Sequence, residues 1–323
     1  MSTYLVGTYT ADMDGSAEGI LALRSAPDGS LQLTGVAAVA ASPSFLALDG
    51  DTVYAVAEGA GRVAEYTLSG TDLTLVSEAS SGGEAPCHIG VYGSTVVVAN
   101  YVDGALGVLS ATPLTLAQTL DATGSGPHDA QDGAHAHCSF AVDATTVLSA
   151  DLGADRLHVH TLAEGKLERT DSIELPPGTG PRDIVAHASG ALLILAELGN
   201  RLLLARWNDG LEVLSTVDLP GAAAGDHAAG ISLSTDGRFA YVTLRGSNRI
   251  SVLAIEGDAL TAVGSVSSAG DWPRHHVIDG DLLHVANQLS STVATFRIGD
   301  DGIPQHLATT AVPSPTYLLR VSS

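Results

Sequence analysis

The chain has 323 residues, 45% apolar and only 15% charged, a composition that fits a packed globular core and excludes disorder. Lys and Arg number 14 against 36 Asp and Glu, a formal charge of −22, and a surface of that sign repels nucleic acid and anionic membrane. The opening Met1-Ser2-Thr3-Tyr4-Leu5-Val6-Gly7 lacks the basic and apolar stretches of a secretory signal, no window approaches about 18 consecutive apolar residues, and two cysteines, Cys87 and Cys138, make no disulfide framework, so the expected location is the reducing cytoplasm.

In chain order, Thr3 to Thr8 reads as a strand, followed by strands at Gly19 to Leu23 and Leu31 to Val39. A pair of runs then recurs. Pro43 to Leu48 leads to Val53 to Glu58, and Pro86 to Val91 leads to Val96 to Asn100. Ala136 to Phe140 leads to Val147 to Asp151, and Pro181 to Val185 leads to Leu193 to Glu197. Ala228 to Ile231 leads to Ala240 to Thr243, and Pro273 to Val277 leads to Leu283 to Asn287. Two further strands follow each pair, as at Arg62 to Leu68 and Leu73 to Glu78, with Gly, Asp and Ser at the turns. Ser44, Cys87, His137, Arg182, Ala228 and Arg274 open the first runs, at spacings of 43, 50, 45, 46 and 46 residues. A period in the forties filled with short strands is the mark of propeller blades. Ser314 to Leu319 matches a first run and Thr3 to Thr8 a second. The expected fold is therefore an all-β, seven-bladed β-propeller with four antiparallel strands per blade, its closing blade shared by the two chain ends. Residues 1–323 are expected to form one domain, with Gly124 to Pro127 and Pro176 to Pro181 as loops between blades.

In such a fold the first strands all start at one face, and each second strand ends there. Two rings of side chains are expected at one funnel. The first is Ser44, Cys87, His137, Arg182, Ala228, Arg274 and Thr316. The second is Glu58, Asn100, Asp151, Glu197, Thr243, Asn287 and Thr8. Two of only 14 cationic residues fall in one ring, beside a histidine and three carboxylates. Arg182 and Arg274 suit a carboxylate or phosphate, Glu197 suits a general base or a partner for Arg182, and His137 suits an acid or base near neutral pH. A polar, hydrated channel without catalysis is the alternative. His135 and His137 share one face of a strand and invite a metal reading, but nothing sets a full ligand spacing, so no metal is assigned. Cys87 reads as a small buried residue rather than a nucleophile. Trp272 reads either as a wall of the funnel or as packing between blades. Phosphate-binding loops, dinucleotide fingerprints and Gly-x-Ser-x-Gly elbows are absent from the sequence.

The segments Tyr4 to Thr10, Pro43 to Leu48, Pro86-Cys87-His88, Ala99-Asn100-Tyr101, His135-Ala136-His137, Ala150 to Gly153, Gly180-Pro181-Arg182, Trp272 to His275 and Val285 to Gln288 together resemble the bacterial propeller lactonases of the 6-phosphogluconolactonase type, related to 3-carboxy-cis,cis-muconate lactonizing enzyme. The resemblance spans the chain. It implies working residues at His137, Glu197, Arg182 and Arg274, and no metal or organic cofactor. Substrate contacts are expected at His135, Asn100, Asp151, Asn287 and His88. Two departures stand out: Arg182 is followed by Asp183 where the family usually has histidine, and the blade carrying Ala228 and Thr243 offers little chemistry. The implied activity is hydrolysis of a small anionic lactone, 6-phosphogluconolactone first, with carboxymuconate cycloisomerisation and non-enzymatic binding as rivals.

Overall fold

The structure, a computed structural model, describes residues 2–322. Among them, 28 strands form seven four-stranded sheets, with two short 3-10 turns. This is the architecture of a seven-bladed β-propeller, as the repeat predicts. The chain ends share a sheet, also as expected: the strand Pro315–Ser322 lies beside Thr3–Thr8, followed by Gly19–Ser25 and Leu31–Val39.

Contacts divide the chain into two compact units. One comprises Gly7–Ile20 and Val36–Asp183; the other comprises Met1–Val6, Leu21–Gly35 and Ile184–Ser323. The same packing rule builds the core of each. Successive strand residues point to opposite faces, and a sheet stacked on both sides must be apolar on both. In the second unit, Ala240, Val242 and Leu244 pack with Leu193, Leu195, Leu202 and Leu204. The intervening Tyr241 packs the other way, with Ile250, Val252, Leu283, Val285 and Phe296. In the first unit, Val96 and Val98 meet Tyr54, Val56 and Val63, whereas Val97 and Ala99 meet Ala136, Val147 and Leu167. This two-sided burial is why the second runs read as unbroken Val, Leu, Ile and Ala. Each such side chain contributes about 1.5–3 kcal/mol on burial.

A polar latch ties the N-terminal strand to the sheet that precedes it in space. The Tyr4 hydroxyl donates to Asp279 Oδ2 at 2.6 Å and lies 3.3 Å from His284 Nε2, while His284 Nδ1 meets the Thr295 hydroxyl at 3.0 Å. Burial pushes His284 down to about 4, so the ring is a neutral member of the network. Burial also works to raise the Asp279 pKa, but hydrogen bonds from Ser2 and Tyr4 and the Arg320 charge outweigh it, and the net shift is downward. A depressed carboxylate stabilises the fold above its unfolded pKa, and that contribution is lost as the pH falls below it. Tyr4→Phe is expected to lower unfolding free energy by about 2 kcal/mol in urea titrations, since it removes a buried hydrogen bond to a charged acceptor. An unchanged midpoint would remove the latch from the stability account.

Two features recur where sheets begin. The residues before Pro43, Pro86, Pro181, Pro273 and Pro315 are Ser42, Ala85, Gly180, Trp272 and Ser314, all with positive φ, between 34° and 62°. A residue before proline ordinarily prefers extended backbone. Four of the five are not glycine, so the chain holds a strained turn at each of those entries. The second feature is a bulge just beyond. Pro86 pairs with Asn100 and His88 with Ala99, leaving Cys87 as the extra residue. His137 is inserted likewise between Ala136 and Cys138, and Arg274 between Pro273 and His275. A bulge re-aims a side chain out of the ladder.

Candidate active site

In the unit that contains Ile184–Ser323, the centre of chemistry is Glu197. It follows the strand Leu192–Ala196, and its side chain is only 8% exposed. One oxygen, Oε1, accepts from Arg245 Nη2 at 2.6 Å and faces His227 Nδ1 at 3.1 Å. Burial of a carboxylate requires such partners, and the guanidinium supplies the counter-charge. Arg245 is itself 9% exposed; its Nε donates to the His227 carbonyl at 3.3 Å, and its guanidinium lies 5.6 Å from the Trp272 ring centroid. Trp272 thus walls this cluster, and its N–H donates to Asn248 Oδ1 at 2.9 Å.

His227 and Arg245 are direct cross-strand partners at the ends of the strands His227–Leu233 and Phe239–Arg245. Asp226 ties those ends together. Its Oδ1 accepts the Ser247 N–H, and its Oδ2 accepts the Ser247 hydroxyl and the Ala223 N–H, all between 2.6 and 2.8 Å. The clamp leaves no room at Gly246, where φ is 107° and an added Cβ would lie 2.6 Å from Asp226 Oδ1. The neighbouring strand Pro273–Asp279 carries Arg274 on its bulge. His275 stacks on Tyr317 at 3.9 Å and accepts the Leu318 N–H on Nδ1.

The blade written off as chemically poor therefore supplies two partners to Glu197. The expected ring positions of this blade are Ala228 and Thr243, but the side chains that reach Glu197 sit one position before and two positions after. A register shift between Ala228 and Ile231 makes the fixed register fail here. The available signal was an arginine ending a buried second strand in a chain so poor in cations.

In the unit containing Val36–Asp183, His135 stacks on Tyr101 with ring centroids 4.6 Å apart, and His137 meets Tyr101 edge-on at 5.9 Å. His135 Nδ1 faces the Tyr101 carbonyl at 2.6 Å and Nε2 faces Asp132 Oδ1 at 3.0 Å. Both ring nitrogens of His135 are thus taken up by protein oxygen atoms. Among the described residues, no group of three or more His, Cys, Asp or Glu is arranged to hold a metal ion. Arg182 is buried in its strand, Pro181–Ala186. Cys87 Sγ lies 3.6–3.7 Å from the carbonyls of Ala99, Ala136 and His137. Burial, followed by the Asp183 carboxylate, pushes the Cys138 thiol well above its usual range. His88 packs on Phe45, and burial takes it down to about 3, so it stays neutral.

Three of the expected substrate contacts lie in the interior. Asn100, Asp151 and Asn287 are fully or almost fully buried. Asn100 Nδ2 donates to the carbonyls of Ser81 and Ala105, and Asn287 Nδ2 donates to that of Ser268. Asp151 Oδ1 accepts the N–H groups of His135 and Ala154, and its Oδ2 lies 3.4 Å from His158 Nε2. These side chains fix loops at the sheet ends.

A sheet-repeat protein with buried carboxylate, guanidinium and imidazole groups gathered at strand ends, and with chemistry-bearing bulges, belongs to the class of propeller enzymes. The family model described as "Lactonase, 7-bladed beta-propeller" matches residues 3–320, and the chain belongs to that family. A 6-phosphogluconolactonase of Bacillus subtilis is 30% identical over 92% of each chain. Among solved structures, a putative 6-phosphogluconolactonase of Bacteroides fragilis superposes with a TM-score of 0.93 at 26% identity, covering 99% of this chain and 98% of the other. A periplasmic gluconolactonase of Pseudomonas aeruginosa gives 0.91 at 29% identity, covering 99% of both. No helix among the described residues is long and apolar enough to cross a membrane.

Proposed function

We propose that the protein is a lactonase that opens a small anionic sugar lactone, with 6-phosphogluconolactone, after which the Bacillus subtilis relative is named, as the first candidate. The observation that carries the reading is the buried Glu197 carboxylate held at one oxygen by both Arg245 and His227. Lactone hydrolysis needs three things: a group to take a proton from water, a cation to stabilise charge on the carbonyl oxygen, and a donor for the leaving alkoxide. Arg182 and Arg274 are assigned to the phosphate and the carbonyl oxygen, and the Glu197 cluster and His137 to acid–base work. With a formal charge of −22, the surface as a whole disfavours an anion, so local guanidinium groups must dominate within a Debye length, about 8 Å at physiological salt. The proposed location is the cytoplasm, where the buried cysteines Cys87 and Cys138 would stay reduced.

The test is a direct assay of purified protein on freshly generated 6-phosphogluconolactone, with gluconolactone in parallel. The expected result is hydrolysis well above the spontaneous rate. Spontaneous-rate hydrolysis of both lactones would overturn the proposal.

A further inference from the structure

We propose that His227 is the residue that takes the proton from the attacking water, and that Glu197 and Arg245 are positioning residues acting through it. This rests on the lactonase reading above. Glu197 is an awkward base when considered alone. Oε1 already accepts from a guanidinium at 2.6 Å and faces an imidazole nitrogen at 3.1 Å, and the carboxylate is 8% exposed. His227, by contrast, has a side chain 31% exposed, at the start of an inner strand. A carboxylate oxygen can only accept, so the Glu197 contact requires the proton of neutral His227 to sit on Nδ1, leaving the lone pair on Nε2. Two further contacts hold the ring's backbone in place. The Arg245 Nε–H donates to the His227 carbonyl, and the adjacent Asp226 clamps Ser247. The geometry is that of a base oriented by an acid residue, the arrangement that makes an imidazole effective in acyl transfer.

The step balances without a co-reactant. Water gives one proton to His227 Nε2 as its oxygen bonds to the lactone carbonyl carbon. The tetrahedral intermediate collapses, the bond from that carbon to the ring oxygen breaks, and the alkoxide takes the proton from His227 Nε2, yielding the hydroxy acid and restoring the neutral imidazole. The imidazolium that forms meanwhile is stabilised by Glu197. Asp226 precedes His227, Arg245 faces it across the sheet, and the strand Pro273–Asp279, which carries Arg274 and His275, packs against its strand.

The experiment compares His227→Gln, His227→Ala and Glu197→Gln with wild type on the better lactone, measuring kcat, KM and the pH profile. His227→Gln is expected to lower kcat about 100-fold with KM little changed, and to abolish the acid limb of the kcat/KM profile. Added imidazole is expected to restore part of the His227→Ala activity, which a merely structural role would not allow. Independently of turnover, ¹⁵N-histidine NMR of the wild type is expected to show His227 as the Nδ1–H tautomer. Wild-type kcat and pH profile in His227→Gln, or an Nε2–H tautomer, would overturn the proposal while leaving the lactonase reading intact. A wild-type protein inactive on both lactones would instead overturn that reading, and this inference with it.

Discussion

Replacing Arg245 by Met is expected to lower the unfolding free energy by about 3–5 kcal/mol and to remove most turnover, because breaking a buried ion pair strands the remaining charge. The two side chains are 9% and 8% exposed, so water does little to compensate the Glu197 carboxylate. Removing Arg245 also deletes the contact from its Nε to the His227 carbonyl and the cation above the Trp272 ring, so the cluster loses its frame as well as its charge. The double variant Arg245→Met/Glu197→Gln should recover much of the stability and none of the activity. Urea titrations of the three variants measure the first effect and initial rates the second. A single Arg245→Met protein with the wild-type midpoint would show that the pair is not energetically coupled to the fold.

The second large effect concerns the anion. Arg274 sits on a bulge, outside the hydrogen-bonded ladder, so Arg274→Ala should leave the melting temperature nearly unchanged. Its kcat/KM for 6-phosphogluconolactone is expected to fall about 100-fold or more, the scale of losing a desolvated charge-assisted contact. Gluconolactone, which has no phosphate, should suffer much less. The ratio of the two losses separates phosphate binding from carbonyl polarisation. Equal losses on both lactones would assign Arg274 to the carbonyl oxygen; no loss on either would take it out of the reaction.

The fold was legible in the sequence because its cause is local and repeated. Strands such as Val96 to Asn100 and Leu283 to Asn287 are apolar on both faces because each sheet is covered twice, and repetition made the pattern countable. The shared closing sheet followed from an unmatched first run at Pro315 and an unmatched second run at Thr3. The site was only half legible. Glu197 stands out as a carboxylate ending a wholly apolar run, and Arg274 as a cation between Ala228 and Thr316 of its ring. His227 and Arg245 were hidden because their blade has a shifted register, which sequence spacing does not reveal. The burial of Asn100, Asp151 and Asn287 was not legible, because a polar residue ending a strand looks the same in sequence at the surface and in a buried turn. The contact of Trp272 with Arg245 was not legible, because it joins residues 27 apart in the chain.

The bulges at Cys87, His137 and Arg274 carry a consequence for how such proteins diversify. An inserted residue owes nothing to the pairing of its sheet, so its identity is free to change while every rung above and below stays closed. The strained turns before the prolines fix where the insertion occurs, leaving only the choice of side chain to selection. A scaffold made this way offers interchangeable sockets: a thiol in one sheet, an imidazole in the next, a guanidinium in another. New substrate preferences can then arise by exchange at these positions without a stability penalty that would first have to be repaired.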